Sequence, residues 1–204
     1  MNQPVYRQRI IDYIRVNARP ADKFGHQPRL YRLACELADG RPFDDDVVFA
    51  AAWMHDLGVF IGHRPEEPQA LAVWDMLAYA ERTVPGLLDQ FGFPAQKIAT
   101  VIAAILTHQP LKKPVFFEAV LIHDADILEQ LGAIGICRTM AKVGRDTRFP
   151  LFCDAIKSLQ RNVNELPSLL LLESARRIAV SKRLALEEFI LAFEAEVGEC
   201  LDES

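Results

Sequence analysis

The chain has 204 residues, half of them hydrophobic and a quarter charged, with a formal net charge of −5. That is the composition of a soluble globular protein with enough residues to bury a sizeable core. The acidic balance, with no dense Lys/Arg stripe, argues against a nucleic-acid polymer as partner.

The four cysteines, Cys35, Cys137, Cys153 and Cys200, form no CxxC pair and no disulfide framework, and Cys35 and Cys137 are expected to be reduced, buried small residues. No apolar stretch follows Met1–Arg7 as it would in a signal peptide. The apolar clusters are interrupted before the ~18 residues that a membrane span needs, so a cytoplasmic protein with no membrane partner is expected.

Helical periodicity dominates and no alternating β pattern persists. The spacing predicts helices over roughly 4–18, 27–39, 44–57, 68–90, 95–108, 115–131, 133–143, 150–162 and 169–198. Pro and Gly punctuate them, as at Arg19-Pro20, Gly62-His63-Arg64-Pro65 and Phe149-Pro150. No break is long enough for an interdomain linker, and no repeat is visible. A single all-α domain is expected.

The helix over 44–57 is the most informative. It opens on Asp44-Asp45-Asp46, runs through Val47-Val48-Phe49-Ala50-Ala51-Ala52-Trp53-Met54, and closes on His55-Asp56 before Gly58. Acids favour a helix start and Gly commonly stands just past a helix end. The acidic triplet is therefore read as a start and a solvated turn, without chemistry. A helix apolar on every side is buried, so an imidazole and a carboxylate at its end need partners. A metal ion would satisfy both.

The remaining histidines fall in similar places. His26 opens a helix, His63 lies in the loop after His55, His108 closes the apolar helix over 98–107, and His123 sits inside Leu121-Ile122-His123-Asp124-Ala125-Asp126-Ile127-Leu128. A lone histidine at a helix end is favoured by the helix dipole and by itself means little. Ligand-type residues that interrupt three apolar helices and one helix start are, by contrast, how metal sites in helical bundles are built.

On these residues the chain resembles the HD-domain superfamily of metal-dependent phosphohydrolases, whose pattern is His … His-Asp … Asp on four helices. The matching segments are His26-Gln27-Pro28-Arg29, Ala52-Trp53-Met54-His55-Asp56-Leu57-Gly58 and Asp124-Ala125-Asp126-Ile127-Leu128-Glu129. Gln130-Leu131-Gly132-Ala133-Ile134-Gly135-Ile136 and Glu173-Ser174-Ala175-Arg176-Arg177-Ile178-Ala179 are similar to a subgroup of small bacterial HD hydrolases, so the resemblance covers nearly the whole chain.

The resemblance implies a helical bundle of the HD-domain type, with a core over about 22–145 and helices over 150–198 packed on it. Its metal ligands would be His26, His55, Asp56 and Asp126. The superfamily's final acid reads Ala-Asp-x-Leu, which selects Asp126 over Asp124. Helical geometry alone does not decide, since side chains two residues apart point about 200° from each other. Asp124 would then orient a ligand histidine. Many relatives carry a basic residue directly after the final aspartate; here Ile127 stands, which leaves the substrate open. Arg29 matches a basic position that contacts phosphate, although a surface salt bridge is equally consistent.

Two imidazoles and two carboxylates suit Mn, Fe, Co, Ni or Zn. The implied reaction is hydrolysis of a phosphate ester or anhydride, of a nucleotide above all, by metal-activated water. His55, Asp56, His63 and His108 are the expected catalytic residues and Arg29 the substrate-binding one. Glu66, Glu67, Lys112 and Lys113 are candidate site residues that plain solvation also explains. A di-iron HD-type oxygenase and a non-catalytic nucleotide-binding HD module are the alternatives.

Overall fold

Helix is the only regular structure among the described residues of the computed structural model, which are 4–197 with the side chain of Asp22 excepted. Cys200 and the predicted last residue of the final helix, 198, lie outside them. The chain divides into two compact units, at Ala125 and Asp126.

The first unit holds α1 (Val5–Asn17), a 3-10 turn (Ala21–Gly25), α2 (His26–Leu37), α3 (Asp45–Met54), a second 3-10 turn (Leu57–Val59), a short α4 (Pro68–Ala72), α5 (Met76–Phe91) and α6 (Ala95–Leu106). Next comes α7 (Phe117–Glu129), within which the division falls. The second unit continues with α8 (Gly132–Met140), α9 (Phe152–Leu169) and α10 (Glu173–Val197).

The first unit is organised around α3, which packs against α1, α2 and α6, while α5 packs on α6. Every residue from Val47 to Met54 is buried, as an all-round apolar helix requires. In the second unit α10 packs on α8 and α9. The glycines of the 130–136 segment have separate reasons to be there. Gly132 has a φ of 67°, and a Cβ on Gly135 would lie 2.3 Å from the Gln130 carbonyl oxygen.

Several expectations are corrected. The helix predicted over 68–90 is two helices, because the Asp75 side chain accepts hydrogen bonds from Leu77 N and Ala78 N and starts a new one. The helix predicted to stop at 162 runs on to Leu169, since Val163 and Leu166 extend its buried face. Cys137 is exposed and Cys35 only half-buried, where both were expected to be buried.

Gly58 does not serve as the left-handed stop of α3. The helix ends at Met54 with His55 still in helical conformation. Gly58 is required instead by close approach. A Cβ there would stand 2.7 Å from the Met76 carbonyl oxygen, and Trp74 Nε1 donates to the Gly58 carbonyl at 2.8 Å.

Candidate metal centre

The last turn of a helix leaves carbonyl oxygens without helical partners. At the end of α3 the Ala52 carbonyl is met by His55 Nδ1 at 3.0 Å. A carbonyl oxygen only accepts, so Nδ1 carries the proton and Nε2 presents a lone pair. Beyond the end of α6 the same device recurs: His108 Nδ1 lies 2.5 Å from the Ile105 carbonyl, again three residues back. Two helix ends thus fix the tautomer of two histidines.

These side chains converge with a third. His26, the first residue of α2, places its Nε2 3.1 Å from His55 Nε2. The His26 and His55 rings are 5.1 Å apart between centroids, and the His55 and His108 rings 4.9 Å. The Asp56 carboxylate lies 3.6 Å from His55 Nε2 and 3.8 Å from His26 Nε2. Those distances are too long for direct hydrogen bonds. One donor atom from each of His26, His55 and Asp56 falls within 4.8 Å of the others.

The donor set fits a divalent transition metal. Two nitrogens bound at ~2.1 Å to one ion are ~3.0–3.4 Å apart in tetrahedral or octahedral geometry. The 3.1 Å separation of the two Nε2 atoms falls in that range. Both histidines are almost wholly buried, and the Asp56 side chain, 13 % exposed, is the most accessible of the three.

His63 is not part of this cluster's contacts. Its Nδ1 meets the Tyr79 hydroxyl at 2.8 Å and its Nε2 meets Asn17 Oδ1 at 3.2 Å, and burial pushes its pKa down, so it is neutral at pH 7. Arg29 lies one turn after His26, and its Nη1 would stand 2.9 Å from a Cβ on Gly25. Glu66, Glu67, Lys112 and Lys113 are exposed, as solvation alone would have them.

On α7, Asp124 is fully buried with Oδ1 2.8 Å from His123 Nδ1, and His123 Nε2 reaches the Pro110 carbonyl at 3.2 Å. That carboxylate orients a histidine, and the histidine is His123. Asp126, in the second unit, is buried and meets Gln130 Nε2 at 3.3 Å. Ile127 is fully buried.

Sequence reasoning missed the Ala52 and Ile105 carbonyls, which set the proton positions. The available signal was a histidine directly after an apolar helical turn, where unpartnered carbonyls are expected.

The acidic triplet is also more than a solvated turn. Asp44 caps α3 by accepting from Asp46 N and Val47 N. Arg7 Nη2 pairs with Asp45 at 2.6 Å and Asp46 at 2.7 Å, and Lys97 Nζ pairs with Asp44 at 2.8 Å and Asp46 at 2.9 Å. The Tyr6 hydroxyl also donates to Asp46, and the Tyr31 hydroxyl donates to Asp45 at 2.6 Å.

No family model and no curated protein matches this chain. Solved structures do. YpgQ of Bacillus subtilis superimposes with a TM-score of 0.74 at 20 % identity, covering 97 % of each chain. The same protein crystallised with ADP gives 0.72 at 20 % identity, over 95 % of this chain and 96 % of that one. An HD-superfamily hydrolase of Bacillus thuringiensis gives 0.68 at 21 % identity, over 93 % of this chain and 95 % of that one. The fold is therefore the all-helical one of these proteins. Among the described residues no helix is long and apolar enough to cross a membrane.

Proposed function

We propose that this chain, which has the fold of the HD-superfamily hydrolases, is a metal-dependent phosphohydrolase whose substrate is a nucleotide. The observation that carries the reading is the convergence of His26 Nε2, His55 Nε2 and the Asp56 carboxylate, with His55 held in one tautomer by Ala52. His26, His55 and Asp56 would hold a divalent ion. Asp126 is assigned as the fourth ligand from the sequence pattern alone. A bound ion of this kind supplies Lewis acidity to a phosphoryl oxygen and lowers the pKa of water.

The chain's own groups do the rest. His108, its Nδ1 committed to Ile105, presents Nε2 for the proton of the attacking water and returns it to the leaving oxygen. Arg29 contacts substrate phosphate. His63 is engaged by Tyr79 and Asn17 and supports the 60–64 loop. The nucleotide assignment is supported by the crystallisation of the structural neighbour YpgQ with ADP.

The test is a screen for phosphate and pyrophosphate release across nucleotides with added Mn, Fe, Co, Ni or Zn. His55→Ala and Asp126→Ala should lose metal and activity together, whereas Asp124→Ala should keep its metal. Full activity in both of the first two variants would refute the assignment. Stoichiometric binding of two irons with oxygen consumption would move the protein to a different reaction class.

A further inference from the structure

The outer face of α10 bears three large apolar side chains in the open. Val180 is 61 % exposed, Leu184 54 % and Leu191 65 %. At helical spacing they form one stripe, about 16 Å long, away from the face that buries Ala175, Ala179, Leu186 and Ile190.

Charge on this helix is segregated. After Glu173 in the first turn, residues 174–183 carry Arg176, Arg177, Lys182 and Arg183 with no acid, and residues 184–197 carry Glu187, Glu188, Glu194 and Glu196 with no base. Glu173 apart, that order opposes the helix dipole, which favours acids near the N-terminus and bases near the C-terminus. Stability of the isolated helix does not account for it. A partner with the reverse polarity does, and an antiparallel copy of the same helix has that polarity.

We propose that α10 is the interface of a two-fold symmetric dimer of this chain. A two-fold axis makes a surface meet itself, so the stripe must be self-complementary. Setting Val180 against Leu191 of the second copy brings the two Leu184 side chains within one turn of each other along the helices. In the same register Arg176 falls beside Glu194 of the second copy and Arg183 beside Glu187 of the second copy, all on one flank of the stripe. In the single chain Arg183 Nε pairs with Glu187 at 2.7 Å and Gln160 Nε2 donates to Glu194 at 2.7 Å. Dimerisation would redirect or share these groups across the axis.

Sedimentation velocity of the full chain across the micromolar range tests the interface, with circular dichroism to confirm that helix content is unchanged. The wild type should be dimeric, and Leu184→Glu should raise the dissociation constant at least about a hundredfold, as loss of a central apolar anchor does. Arg183→Glu and Glu187→Arg should each weaken self-association, because like charges then meet across the axis. Mixed in equal amounts, these two variants should form a heterodimer, since every 183–187 pair across the axis is then opposite in sign. Pairing within one chain cannot produce that result. A wild type that stays monomeric throughout, a dimer indifferent to Leu184→Glu, or two single variants that do not associate on mixing would each overturn the proposal.

Discussion

The two ends of α3 solve the same problem in opposite ways. Each must present charged or polar groups from a helix buried along its length. At the start, Asp44, Asp45 and Asp46 are met by Arg7 and Lys97, with Tyr6 and Tyr31 donating as well. Positive charge there comes from the protein itself. At the other end, imidazoles and a carboxylate from His26, His55 and Asp56 are gathered with their donor atoms turned toward one another. An arrangement of the first kind holds a fold together, whereas one of the second kind is a place to bind a cation.

The sharpest way to break this comparison is to exchange its consequences. His55→Ala should lower metal affinity and the proposed nucleotide hydrolysis by about a hundredfold or more, measured by metal content and phosphate release. Asp45→Asn should leave both within about twofold, since its role is electrostatic pairing at the far end. Equal losses in the two variants would erase the distinction.

Stability should show the reverse pattern. Arg7→Ala removes a nearly buried guanidinium from between Asp45 and Asp46, and should cost about 2–4 kcal/mol in urea unfolding while sparing metal content. Gly58→Ala, at the close approach to Met76, should cost about 1–3 kcal/mol through overpacking. Lys97→Ala, at a more exposed position, should cost under about 1 kcal/mol.

Acid should reach the start of α3 through Asp46. Burial pushes that carboxyl up, but hydrogen bonds from Lys97, Tyr6 and Arg7 outweigh burial and hold it well below the usual carboxylate range. A group whose folded pKa is depressed contributes stability that is present above its unfolded value and lost as pH falls toward the folded one. With an unfolded aspartate near about 3.9, the contribution should be intact at pH 5 and decline below about pH 4. Asp46→Asn should flatten that decline in thermal melts taken across acidic pH.

Much of this was legible in the order of residues. The burial of α3 followed from its unbroken apolar run, and the proximity of His26, His55 and Asp56 was expected from ligand-type side chains at helix ends and a helix start together with the family resemblance. The acidic triplet was misjudged because its partners, Arg7 and Lys97, are some forty and fifty residues away and carry no pattern of their own. His63, in a loop, and His108, closing a helix, were both expected to be catalytic. Packing separated them, by turning His108 toward His55 and tying His63 to Tyr79 and Asn17.

By itself, then, the sequence determined the helical class, the buried character of α3 and the residue types of a candidate metal site, because periodicity and residue chemistry are local properties. Tertiary structure decided which carbonyls set the imidazole tautomers, which acids are neutralised by arginine and lysine, and why residue 58 is glycine. Those depend on atoms brought together from distant parts of the chain, and their approach to within a few ångströms is written in packing rather than in spacing.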